Sequence, residues 1–132
     1  MITVIFACVH NAGRSQMAAA FFNQLADPTK ARARSAGTAP GERVHPDVLD
    51  AMREVDIDPG GATPQRLTPE LARDAGWLVT MGCDDACPAG SETSRDEWAV
   101  EDPRGKPVER VREFRDHIRG RVLAFVAAEG WG

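Results

Sequence analysis

The chain has 132 residues, a length that one domain accounts for and that can bury a core without disulfide staples. A net charge of −4 at pH 7 leaves no basic footprint for nucleic acid, and no apolar run approaches the roughly 18 residues that a membrane span needs. The three cysteines, an odd number, and a start without the basic region of an export signal lead us to expect a cytoplasmic protein with catalytic or metal-binding thiols rather than a disulfide framework. A monomer is the expected state, although no feature of the sequence fixes it.

Ile2 to Cys8 is β-rich and apolar on both faces, as a buried parallel strand should be. A helix is expected from about Ser15 to Ala26, with Met17, Phe21, Phe22 and Leu25 on one side. Ala31 to Gly37 reads as a second, more polar strand at a sheet edge. Pro46 stands near the first turn of the next helix, whose Leu49, Met52 and Val55 should face inward. A long loop over 57–66 leads to Thr68 as a helix cap, with Pro69 at the first helical position and Gly76 as terminator. Trp77 to Met81 is the third strand, and Glu97 to Val100 a short fourth.

The last stretch has the clearest helical period: Val108, Val111, Phe114, Ile118, Val122 and Phe125 recur at spacings of three and four. Arg110, Arg112, Arg115, Arg119 and Arg121 alternate there with Glu109, Glu113 and Asp116, which predicts a solvated, ion-paired face. Alternating strands and helices predict a single α/β domain over 1–132, its sheet mostly parallel with helices on both sides. Sites in such sheets lie at the carboxyl ends of the strands. Cys8, Cys83 and Asp102 each follow a predicted strand.

Cys8 to Arg14 is C-x5-R, and the run Val9, His10, Asn11, Ala12, Gly13 joins strand to helix. Its backbone N–H groups can curl around one point, Ala12 and Gly13 allow close approach, and Asn11 tolerates left-handed backbone angles. Such a nest at a helix N-terminus binds a tetrahedral oxyanion. The Arg14 fork can hold two of the anion's oxygens. The same positive environment stabilises a Cys8 thiolate, and Ser15 can donate a further hydrogen bond to the sulfur. His10 contributes shape or positive field, while His45 and His117 are structural or exposed.

The run "CVHNAGRSQMA" resembles the active-site loop of the low-molecular-weight tyrosine phosphatase superfamily, in particular its arsenate reductase branch. "SAGT" (Ser35 to Thr38), "VTMGC" and "EDP" (Glu101 to Pro103) follow in that family's order, so the resemblance covers nearly the whole chain. It implies a small three-layer α/β/α domain around a central four-stranded parallel sheet. It also implies that Asp102 is the general acid protonating the oxygen that leaves the anion. Its position on a Pro-anchored loop suits that role.

Phosphate and arsenate share charge and shape, so the other cysteines must discriminate. A reductase has to supply two electrons, which thiols do by forming disulfides. Cys83 and Cys87 are separated by Asp84, Asp85 and Ala86, and one helical turn brings residues four apart to about 6 Å, within the range a disulfide tolerates. The chain has no Tyr, and Glu101 to Pro107 lacks the aromatic wall that phosphotyrosine would need. The expected activity is therefore arsenate reduction, for arsenic detoxification. The resemblance implies a relay in which Cys8 attacks arsenate, Cys83 attacks Cys8, and Cys87 attacks Cys83. Its reductant is a thioredoxin-like protein, or mycothiol with a glutaredoxin-like protein, since the Cys83–Cys87 spacing is shorter than in the best-known thioredoxin-coupled members.

The alternative enzyme is a phosphatase acting on phosphotyrosine or small phosphoesters. A zinc module of Cys8, His10, Cys83 and Cys87 is the rival of a different class, but C-x3-C is a weak zinc signal and the metal would quench the nucleophile. Family members with a structural potassium ion carry an acidic residue where this chain has Ala19. Asn11 and Ser35 match that site, but no metal and no cofactor are expected.

Overall fold

Four parallel strands in the order β2-β1-β3-β4 form the sheet of the computed structural model, which describes residues 1–57, 63–81, 94–98, 100 and 105–132. The elements are β1 (Ile2–Cys8), α1 (Arg14–Leu25), β2 (Ala31–Gly37), α2 (Pro46–Arg53), α3 (Pro69–Arg73), β3 (Trp77–Thr80), β4 (Ser94–Glu97) and α4 (Val108–Glu129). Strand β1 is apolar and buried from Val4 to Cys8, where both of its faces are covered. Val4, Phe6 and Cys8 enter a core with Met17, Phe21 and Phe22 of α1, Val48 and Met52 of α2, and Ile118 and Val122 of α4. Ile5 and Ala7 point the other way, against Leu67, Ala72, Ala75 and Leu78 around α3. The result is the expected three-layer α/β/α arrangement. Among the described residues no helix is long and apolar enough to cross a membrane.

Strand β2 is an edge strand, as expected, in which exposed Arg32 and Arg34 alternate with buried Ala31 and Ala33. An edge leaves peptide groups without a strand partner, and here side chains and loops supply them. Asn23 of α1 accepts from the Ala33 N–H at 2.8 Å and donates Nδ2 to the Ala33 carbonyl at 3.1 Å. Gly37 pairs outward with 65–67, donating to the Gln65 carbonyl and accepting from the Leu67 N–H, both at 2.9 Å.

Strand β4 runs from Ser94 to Glu97, three residues ahead of the expected Glu97 to Val100. Apolar Trp98 and Val100 drew the expectation, but they are buried just beyond the strand, with Trp98 against Phe6 and Phe125 at ring distances of 5.5 and 5.9 Å. Apolarity there reports burial, whereas pairing at the solvent-facing edge runs through polar residues. Thr68 caps α3 as expected, its Oγ1 accepting from the Leu71 N–H at 3.1 Å. Gly76 does not terminate that helix, which stops at Arg73. It lies where the chain enters β3, donating to the Thr3 carbonyl at 2.9 Å, and a Cβ there would stand 3.0 Å from Ile2 Cγ2.

The inward face of α2 is Val48, Ala51 and Met52, with Leu49 and Val55 only partly buried beside it. Helix α4 buries Val111, Phe114, Ile118, Val122 and Val126, while Val108 is exposed. Arg115 departs from the predicted solvated face. It is buried, and its Nη1 donates to the Ala51 carbonyl at 2.8 Å and to Glu54 Oε1 at 2.7 Å. The helix therefore docks on α2 through a charged side chain.

Candidate active site

Strand β1 ends at Cys8 and α1 begins at Arg14, so residues 9–13 form the loop between them. Asn11 has φ 51°, the left-handed region, and is fully buried. Strain of this kind persists only where surroundings fix it. They do so by holding every carbonyl of the loop from outside. The Cys8, Val9, His10 and Ala12 carbonyls accept from the N–H groups of Thr38, Ala39, Gly41 and His45 at 3.2, 2.8, 2.9 and 2.9 Å. The Gly13 carbonyl accepts from the Met17 N–H at 3.0 Å, and the Asn11 carbonyl from Gln16 Nε2 at 2.9 Å.

Among the described residues, none of the N–H groups from Val9 to Arg14 has a protein acceptor. Helix α1 also lacks a side-chain cap and an acidic residue in its first turn. Carbonyls turned out, donors left over and an uncapped helix N-terminus make a site for a small oxyanion.

The sulfur lies in the same construction. Cys8 Sγ is 2.9 Å from Ser15 Oγ, and Asn11 Nδ2 donates to that oxygen at 2.8 Å. The Asn11 amide can face only one way, because its Oδ1 accepts from the Gln65 N–H at 2.9 Å. With Cys8 ionised, only the Ser15 hydroxyl can donate in the Ser–Cys pair, so the network ends in a donor aimed at a thiolate. Arg14 is buried beside it, and Nη1 donates to the Val100 carbonyl at 3.0 Å. Its remaining donors engage no other described residue.

The sequence-predicted set thus divides. Cys8, Val9, His10, Asn11, Ala12, Gly13, Arg14 and Ser15 converge on one loop. Cys83, Cys87 and Asp102 lie outside the described residues, as do Glu101 and Pro103. His10 is half-buried in the loop, His45 precedes α2 and His117 is exposed. Ala19 is buried, and the Ser35 carbonyl accepts from Gln65 Nε2 at 2.9 Å. Among the described residues no three His, Cys, Asp or Glu side chains gather to hold a metal.

Sequence reasoning missed three contributors. Gln16 is buried and donates into the loop. Gln65 arrives from a distant segment. Gly37 lies so close beneath the loop that a Cβ would meet the Val9 carbonyl at 2.6 Å. Gln16 and Gly37 stand inside the runs "CVHNAGRSQMA" and "SAGT" that carry the family resemblance, whereas nothing local marks Gln65.

Residues 3–129 match the model of the low molecular weight phosphotyrosine protein phosphatase family. The chain is 35% identical over 127 residues to the arsenate reductase of Bacillus cereus, covering 93% of this chain and 92% of that one. It superimposes with a TM-score of 0.84 and 33% identity on the thioredoxin-dependent arsenate reductase Cg_ArsC1′ of Corynebacterium glutamicum, covering 97% of this chain and spanning 61% of that one. An arsenate reductase in its oxidized state gives a TM-score of 0.85 at 31% identity, with 97% and 98% of the two chains covered.

Proposed function

The chain belongs to the low molecular weight phosphotyrosine protein phosphatase family, and from that premise we propose that it reduces arsenate to arsenite. One observation carries the reading: Cys8 Sγ, with Ser15 Oγ at 2.9 Å, lies at the end of a loop whose carbonyls are all turned outward. That geometry suits a thiolate attacking a bound tetrahedral anion. The choice of arsenate over a phosphoester is supported by the relatives named arsenate reductase and by the two further cysteines, Cys83 and Cys87.

In the proposed sequence the Cys8 thiolate attacks arsenic while Arg14 and the loop N–H groups hold the other oxygens. A sulfur–arsenic bond forms, an arsenic–oxygen bond breaks, and Asp102 protonates the departing oxygen, which leaves as water. Cys83, as thiolate, then attacks the Cys8 sulfur. The sulfur–arsenic bond breaks, its electron pair stays on arsenic, and arsenite departs from a Cys8–Cys83 disulfide. Cys87 attacks Cys83, frees Cys8 as thiolate and closes a Cys83–Cys87 disulfide, which a thioredoxin-like dithiol protein reduces by exchange.

Two anchors support these assignments. The Met81 N–H donates to the Ala7 carbonyl at 2.7 Å, and two residues of chain, at most about 7 Å, separate Met81 from Cys83. Val100, which accepts from Arg14, precedes Asp102 by the same two residues.

Arsenite release by the purified protein with thioredoxin, thioredoxin reductase and NADPH tests the reading, with mycothiol plus a glutaredoxin-like protein as the second reductant. Cys8→Ser should abolish both arsenite production and any hydrolysis of para-nitrophenyl phosphate. Phosphoester turnover without arsenite from either reductant would make the protein a phosphatase instead.

A further inference from the structure

The carbonyls that frame the oxyanion loop are not all held in the same way. Those of Cys8, Val9, His10, Ala12 and Gly13 accept from backbone N–H groups, which no substitution short of proline removes. The Asn11 carbonyl accepts from a side chain, Gln16 Nε2 at 2.9 Å, and the same nitrogen lies 3.3 Å from Asn11 Oδ1. Gln16 is 3% exposed and touches no reacting atom. Asn11 is also the loop residue held in the left-handed region, so the peptide at greatest risk of turning over is the one secured by a replaceable group.

We propose that Gln16 is a positioning residue for the oxyanion site, keeping the peptide between Asn11 and Ala12 in the orientation that presents the Ala12 N–H to the anion. That peptide is planar. Its two polar ends point in opposite directions, so a carbonyl held outward fixes the Ala12 N–H inward. Release of the carbonyl permits a flip that withdraws one donor and presents an oxygen's negative end to an anion. The second contact, to Asn11 Oδ1, carries the same residue into the network that reaches Cys8, since the other end of that amide donates to Ser15 Oγ at 2.8 Å. Gln16 therefore supports both anion and thiolate.

The inference rests on reading the loop as an oxyanion site, not on arsenate chemistry, and inorganic phosphate serves as the probe. Gln16→Met keeps length and volume and removes the donor. Its dissociation constant for phosphate, measured by titration calorimetry, should rise about tenfold, the scale of one buried hydrogen bond. In ¹⁵N–¹H spectra the wild-type Ala12 amide proton should move on phosphate addition, and in Gln16→Met that response should disappear while signals remote from the loop stay in place.

Gln16→Glu supplies a second measurement should the methionine variant not fold. Protonated, its carboxyl donates and phosphate binds as in wild type. As pH rises the carboxylate faces two oxygens, and affinity should fall relative to wild type at the same pH. Phosphate binding within twofold of wild type by Gln16→Met, with the Ala12 response retained, would overturn the proposal, as would a protonated Gln16→Glu as weak as the methionine variant. Wild type that fails to bind phosphate removes the oxyanion site itself, and the proposal with it. Phosphate binding that loosens in Gln16→Met while wild type makes no arsenite would leave this inference standing and retire only the proposed reaction.

Discussion

Arg14 holds the Val100 carbonyl with one nitrogen at 3.0 Å and is buried against the loop that starts its helix. A planar guanidinium can keep that contact and still present paired donors to an anion. An ammonium offers a single point of charge and cannot do both. Arg14→Lys should therefore lower kcat/KM for arsenate by at least ~100-fold, the scale of losing a preorganised charge stabiliser. Steady-state arsenite production checks it, and near-normal kinetics would place Arg14 outside the chemistry. The residues around it were readable from sequence to the extent that they are local. Cys8, Asn11, Arg14 and Ser15 lie within one strand–loop–helix turn, so their spacing already implies a sulfur at a helix N-terminus. Gln65 and Gly37 could not be read that way. They act on Asn11 and Val9 from distant segments: the β1–β2 register sets Gly37 beside Cys8, and the pairing of Gly37 with 65–67 brings Gln65 to the loop.

Among the elements, α2 and α4 are joined by charge. Glu54 follows the last turn of α2 and accepts from Arg112 Nη2 and from Arg115 Nη1, both at 2.7 Å. The hydrogen bond from Arg112, then that from Arg115, hold its carboxyl down from an ordinary 4.5 to about 2. A depressed carboxyl stabilises the fold in its ionised form. That contribution is complete above about 4.5 and fades as pH falls toward about 2. Glu54→Gln should thus lower Tm near neutral pH, and the gap to wild type should close as pH falls through that window. Glu54 and Arg112 are both substantially exposed, so molar salt should also narrow the gap. Melting curves across pH and salt read both trends, and a gap indifferent to acid would remove Glu54 from the clasp. The period of three and four residues identified α4 correctly, yet it assigned Arg115 to solvent. Periodicity sorts residues by polarity, and a guanidinium with two acceptors on a neighbouring helix is buried despite it. The displacement of β4 has the same origin, since Trp98 and Val100 carried the burial signal while the strand itself is polar.

On the scale of the whole molecule, the sheet order sets which chain ends can meet. β1 lies between β2 and β3, so the segment leaving β3 starts beside the end of β1, where Thr80 pairs with Ala7 and Cys8 comes next. Alternation of strands and helices in the sequence implied such a sheet, but the neighbours of β1 follow from pairing across distant positions and not from any local pattern. In the proposed relay Cys83, two residues past Met81, attacks Cys8, and Cys87, four residues further on, resolves the disulfide. Cys83→Ser should leave the Cys8 loop and any phosphatase activity intact while arsenite production stops. Cys87→Ser should still complete one turnover, releasing one arsenite per chain, and then stall as a Cys8–Cys83 disulfide. Wild type given arsenate without reductant should instead collect Cys83–Cys87 and keep a free Cys8. Acid quench followed by peptide mapping distinguishes these species, and quantifying arsenite in the same samples counts the turnovers. The four-residue spacing of Cys83 and Cys87 is compatible with the second disulfide. Full multiple turnover by Cys87→Ser with a thioredoxin system would rule out the three-cysteine order, because an external thiol would then be attacking the Cys8–Cys83 bond directly.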